Sequence, residues 1–226
     1  MLTVTGDLSH GVLAVHPSAP LYAPLPEGLH WLDTPVSPAL LCVPERLPQQ
    51  PAPLLVAFHG AAGVPGDVVR TLRSAAARYG ALLLAPASEG ATWDAVTTGR
   101  FGKDAMSLQY AMATVFDHFD VDADRIAVSG FSDGASYALG LGLANGDLFT
   151  RVLAYSPGSI PSAGRNGRPT IFVSHGRADA VHPIAQASHR IIPALEDEGY
   201  HVDYIEHGLG HQVPAAVVKA SSELLG

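Results

Sequence analysis

Three side chains have the types and settings to do chemistry together: Ser132, Asp179 and His211. Ser132 lies in Gly130-Phe131-Ser132-Asp133-Gly134, between the apolar run 125–129 and the small-residue stretch 135–144. That order predicts a strand, a very tight turn and a helix, which lifts one hydroxyl out of a sheet toward solvent. Glycine suits both ends of the turn because a Cβ there would clash where strand and helix nearly touch. Asp179 ends His175-Gly176-Arg177-Ala178-Asp179, just past a predicted buried strand at 169–174. Open α/β sheets place functional groups in such loops. His211 follows a predicted strand at 202–205 and precedes a helix beginning near Pro214. Each interval holds one or two strand–helix units, so three loops can converge on one face. A serine hydroxyl needs a base within hydrogen-bond reach. His211 would take its proton and return it to a leaving alkoxide. Asp179 would hold the imidazole in the right tautomer and stabilise its charged form.

Each assignment has a rival. Among 23 glycines, Gly-x-Ser-x-Gly alone can be an inert glycine-rich turn; the downstream acid and histidine weigh against that. His207 competes for the base role, but His211 follows Gly210 and lies nearer the next helix, so His207 is expected to cap the strand end or face solvent. The two histidines are four apart, as metal ligands can be, yet Gly208 and Gly210 break the helix that would align them. No metal or organic cofactor is expected. Asp133 is a rival acid on the wrong side of the serine. It reads better as an acidic first-turn residue favoured by the helix dipole, its side chain turned away. Two N–H donors must meet the developing oxyanion. The predicted strand 54–58 runs into His59-Gly60-Ala61-Ala62-Gly63, which points to Ala61 N–H with Asp133 N–H, Ala62 being the fallback. His59 is expected to structure that loop.

Residues 54–214 resemble the α/β-hydrolase fold, in particular small bacterial serine esterases of the phospholipase/carboxylesterase and polyhydroxybutyrate-depolymerase-like groups. Phe58-His59-Gly60, Asp122-Ala123-Asp124-Arg125-Ile126, the serine turn, the His175-to-Asp179 run and Gly210-His211 carry the likeness. In that fold the serine sits in a nucleophile elbow, and the triad follows in the order Ser, Asp, His. The resemblance implies a carboxylic ester hydrolase working through an acyl-enzyme. It does not specify the substrate, and the first fifty residues match no motif. A thioesterase or a peptidase would use the same machinery. Dienelactone hydrolases share the fold but normally use Cys, where this chain has Ser132. A non-catalytic binding module is the alternative of a different class, since fold alone does not prove activity.

Composition bounds the rest. The 226 residues suit one domain, 1–226, and 47% hydrophobic against 15% charged residues marks a compact chain. A net charge of −8, with 13 Lys+Arg against 21 Asp+Glu, leaves no basic stripe for nucleic acid. No apolar run approaches the roughly 18 residues of a membrane span. Residues 1–11 lack the basic start and apolar centre of a signal peptide, so a cytoplasmic protein is expected, a monomer or small homo-oligomer acting on a small-molecule ester. Cys42, the only cysteine, excludes an internal disulfide and reads as a buried thiol in a strand. The Gly60-to-Gly66 stretch lacks the Lys-Ser/Thr ending of a phosphate loop.

The pattern alternates strands and helices, predicting a mostly parallel sheet covered on both faces. Strands are expected at 11–15, 39–43, 54–58, 81–85, 125–129, 151–155, 169–174 and 202–205, the first two pairing as an antiparallel edge. Helices are expected at 67–79 with Asp67 as N-cap, 104–119, 135–144 and 184–198 with Ile184 inward. Between Tyr155 and Thr170 only fourteen residues intervene, too few for a lid domain, which implies an open cleft and soluble esters. Trp93 either walls the substrate pocket or packs its loop onto the body. Val181 and His182 are placed to border the pocket, and Phe131 is expected to pack inward. Nothing marks Ser156 or Ser159 as catalytic.

Overall fold

The computed structural model describes residues 7–47 and 51–226. Among them, eight strands form one sheet: β1 (Gly28–Leu32), β2 (Ala39–Val43), β3 (Ala52–Phe58), β4 (Leu82–Pro86), β5 (Val121–Phe131), β6 (Arg151–Tyr155), β7 (Thr170–Gly176) and β8 (Val202–His207). Their spatial order is β1-β2-β4-β3-β5-β6-β7-β8. β1 and β2 are antiparallel to their neighbours, and β3 through β8 run parallel. The strand period of two divides the sheet's side chains between two cores. Leu54, Val56, Phe58, Leu84 and Val128 face one, covered by α3 (Lys103–His118), α4 (Asp133–Ala144) and α5 (Ser188–Asp197). Leu55, Ala57, Leu83 and Ala127 face the other, covered by α1 (Pro65–Arg78) and α6 (Ala215–Ser222). A short α2 (Asp94–Thr98) packs beside α4. α4 is buried on every side, as a helix apolar all round must be.

Several local expectations are corrected. Residues 11–15 are not a strand. Leu13 and Val15 are buried, but the Leu13 N–H donates to Asn145 Oδ1 at 2.8 Å and the Ala14 N–H to Gln109 Oε1 at 2.7 Å. Side chains distant in sequence thus satisfy the backbone that a sheet would have paired. The edge partner of β2 is β1, which alternates exposed Leu29 and Trp31 with inward residues. α1 starts at Pro65, whose missing N–H costs nothing in the first turn. Asp67 therefore lies inside the helix, and its carboxylate accepts the Val64 N–H at 3.0 Å. α5 starts at Ser188, leaving half-buried Ile184 in the preceding turn after Pro183. Cys42 is half-buried, and burial raises its pKa. Residues 156–169 form no helix and no named strand. Among the described residues no helix is long and apolar enough to cross a membrane.

Candidate active site

Ser132 caps the turn between β5 and α4 with φ 58°. A non-glycine residue there is strained by about 1–3 kcal/mol and persists only where its surroundings hold it. The surroundings do so: its N–H donates to Tyr155 O at 2.9 Å, and its carbonyl accepts Ala135 N–H at 2.9 Å and Ser136 N–H at 3.1 Å. A Cβ on Gly130 would overlap Gly134 O, and one on Gly134 would overlap the Phe58 carbonyl. Ala62 and Ser156 also have positive φ. These three strained residues lie just past β3, β5 and β6, around one end of the sheet. Nothing in their residue types marked Ala62 or Ser156 as strained.

Ser132, Asp179 and His211 meet there. His211 Nε2 is 2.8 Å from Ser132 Oγ, and His211 Nδ1 is 2.7 Å from Asp179 Oδ2. The carboxylate only accepts, so Nδ1 carries the hydrogen and Nε2 of the neutral ring is free to accept from the hydroxyl. The other Asp179 oxygen accepts the N–H groups of Val181 at 2.9 Å and His182 at 2.8 Å. Burial works upward on the Asp179 pKa, but the bonds from His211 and these two amides outweigh it and hold the carboxyl below its usual range. His175, fully buried, supports the aspartate from behind. Its Nε2 is 2.8 Å from His182 O and 3.2 Å from Asp179 Oδ2, while Nδ1 accepts from Ser188 Oγ at 2.7 Å. His175 belongs to the His175-to-Asp179 run, whose residue types alone assign it no role.

The loop after β3 carries the other candidate donor, Ala61 N–H. His59 is buried; its Nδ1–H donates to Gly60 O at 2.8 Å and its Nε2 accepts Ser88 N–H at 3.2 Å. Burial lowers its pKa, so it stays a neutral, structuring imidazole. Ala62 N–H is already used, donating to Ala91 O at 2.6 Å. Among the described residues Ala61 N–H has no acceptor, and Asp133 N–H opens α4 where no intrahelical acceptor exists. Trp93 does not line the cleft. It is fully buried, its Nε1–H donates to His59 O at 2.8 Å, and it packs edge-on against Phe58. It acts on the site by fixing the loop that carries Ala61.

Other expectations shift. The Asp133 side chain does not turn fully away: Oδ2 accepts from Thr92 Oγ1 at 2.8 Å and Oδ1 lies 3.8 Å from His182 Nε2. His182 reaches the centre itself, its Nε2 lying 3.4 Å from Ser132 Oγ. Phe131 is half-buried, its ring 4.7 Å from that of His211. His207 does not face solvent with its ring; both nitrogens are buried and, among the described residues, without partners, and burial lowers its pKa. A cavity of about 410 Å³ adjoins the centre, lined by Ala61, Val68, Leu72, Phe131, His211 and Val213 among others. Among the described residues no group of His, Cys, Asp and Glu could hold a metal ion.

The architecture has many known counterparts. A family model described as "Putative esterase" matches residues 110–203. A thermostable esterase aligns with TM-score 0.65 at 20% identity, over 87% of this chain and 60% of that one; the chain thus spans less than two thirds of that relative. The Bacillus cereus carboxylesterase aligns with TM-score 0.65 at 18% identity, over 85% and 94%. An S-formylglutathione hydrolase from Staphylococcus aureus gives 0.66 at 13% identity, over 91% and 100%. No curated protein sequence matches. The fold is that of the α/β-hydrolases. The family match spans residues 110–203, and these solved structures, at 13–20% identity, share that fold with the chain.

Proposed function

We propose that the chain is a single-domain serine esterase that cleaves small soluble carboxylic esters through an acyl-enzyme. One observation carries the reading: an unbroken run of short contacts from Asp179 through His211 to Ser132 Oγ. His211 Nε2 takes the hydroxyl proton as Oγ attacks the ester carbonyl, and passes it to the leaving alkoxide. Ala61 N–H and Asp133 N–H receive the carbonyl oxygen as it gains charge, helped by the N-terminus of α4. Water then attacks the acyl-serine with His211 again as base. An apolar part of the substrate fits the adjoining cavity, and exposed Val64, Val181 and Leu209 rim the loops around the site. The short 156–169 segment supports an open cleft. We further propose a cytoplasmic setting and a monomer or small homo-oligomer, in keeping with one cysteine and a net charge of −8.

A fluorophosphonate probe tests the activated serine. Stoichiometric labelling of the wild-type chain at Ser132, absent in Ser132→Ala, is expected. An unlabelled wild-type chain would contradict the reading and favour a non-catalytic module.

A further inference from the structure

His182 is a second imidazole at the nucleophile, and we infer that it is a catalytic hydrogen-bond donor to the leaving-group oxygen. The inference rests on the esterase reading above and adds a group that the Ser–His–Asp logic does not use. Three contacts define it. His182 Nε2 lies 3.4 Å from Ser132 Oγ and 3.8 Å from Asp133 Oδ1. Its ring stands edge to face on His211, centroids 5.2 Å apart. Its backbone is fixed on both sides, the N–H bonded to Asp179 Oδ1 and the carbonyl accepting from His175 Nε2. Gly158 leaves the space for the ring, since a Cβ there would come within 2.7 Å of Cε1 and 2.9 Å of Nδ1.

The tautomer follows from the neighbours. A carboxylate can only accept, so Asp133 favours hydrogen on Nε2 of His182. The Ser132 proton is already directed to His211, whose Nε2 is the nearer at 2.8 Å. His182 therefore cannot be the base; it presents an N–H to the oxygen that His211 deprotonates. In the tetrahedral intermediate the leaving oxygen and Oγ share one carbon. A donor within reach of Oγ, beside the ring that must deliver the proton, can bond to the departing oxygen. The contact is long for a hydrogen bond, and such contacts tighten once substrate is bound. Proton accounting is unchanged: the proton that leaves with the alcohol is the one His211 took from Ser132, and His182 gives a hydrogen bond without changing its own protonation. In deacylation the attacking water occupies the leaving-group position, so the same N–H orients it.

The role predicts a dependence on the leaving group. An alkyl alkoxide is strongly basic when it departs and needs the donor; p-nitrophenolate leaves readily without it. In His182→Ala, kcat/KM for an ethyl ester should fall roughly ten- to a hundredfold, the range for a lost hydrogen bond to a charged group. For the p-nitrophenyl ester of the same acid it should fall only a few-fold. His182→Gln, which keeps an N–H donor, should recover part of the alkyl-ester loss. Gly158→Ala, which displaces the ring while leaving it present, should reproduce the alkyl-selective loss. Equal losses on both esters, or no loss on either, with an active wild-type enzyme, would overturn the His182 role alone. A wild-type chain that cleaves neither ester would overturn the esterase reading, and this inference with it.

Discussion

The imidazoles of this chain divide by what their nitrogens touch. His211 touches both the hydroxyl and the carboxylate, whereas the His207 nitrogens touch no hydrogen-bond partner among the described residues. His211→Ala should therefore abolish esterase activity and His207→Ala should leave most of it; steady-state rates on one ester decide, and the reverse result would exchange the two roles. Activity should also have an acid limb. The bonds to Asp179 hold its carboxyl below the usual range despite burial, so that group stays ionised as pH falls and the limb belongs to a histidine base. A kcat/KM flat from about pH 8 to 5 would rule out a histidine base. That Ser132, Asp179 and His211 would meet was legible from residue type and position next to predicted strand ends. His182 as a partner of the serine was not, because its approach depends on Gly158 and Asp133, which no spacing rule links to it. Trp93 could be read either as a wall or as packing, and burial decided for packing.

At the scale of elements, the serine turn works by exclusion. Gly130 and Gly134 each occupy space that a methyl group would share with backbone carbonyl atoms, and backbone cannot swing aside as a side chain can. Gly134→Ala should destabilise the fold by at least about 1–3 kcal/mol and misplace Ser132; thermal melting with probe labelling would show both, and a fully active, equally stable variant would contradict the close approach. The N-terminal segment offers a second test. Asn145 is buried, accepts Leu13 N–H and donates to Gly11 O at 2.7 Å and Leu141 O at 2.8 Å. Asn145→Ala should cost about 1–3 kcal/mol or more by leaving those groups unpaired, and an unchanged melting temperature would mean that water replaces the amide. The same bonds explain why 11–15 looked like a strand. Its side chains are apolar and buried, as a strand's would be, but long-range side chains took its backbone bonds. The central strands β3, β4, β6 and β7 were legible because they are apolar and buried on both faces, and only their ends were misjudged by a few residues.

Across the whole molecule, α/β alternation sets the sheet, the sheet's end sets the site, and burial sets the pH response of stability. His59, His175 and His207 all have pKa values lowered by burial. The unfolded chain then binds protons that the folded one refuses once pH falls below about 6.5, so stability is full above that value and declines beneath it. Buried Asp94 and Asp104, shifted upward mainly by burial, act in the opposite direction nearer the usual carboxylate range. The histidine contribution should therefore appear as a melting temperature that falls between about pH 7 and 5.5, and a flat or rising melting curve there would contradict it. The fold class and the convergence of Ser132, Asp179 and His211 on one sheet end were readable in the chain; the supporting contacts of His175, Thr92 and Ala91 were not, since they depend on how separate loops pack. Catalysis by Ser132 is decided by hydrolysis of p-nitrophenyl esters from acetate to laurate, wild type beside Ser132→Ala. The wild type should cleave the shorter esters, and the variant should lose roughly 10⁶-fold while remaining folded. Comparable hydrolysis by the two chains would exclude Ser132 as the nucleophile.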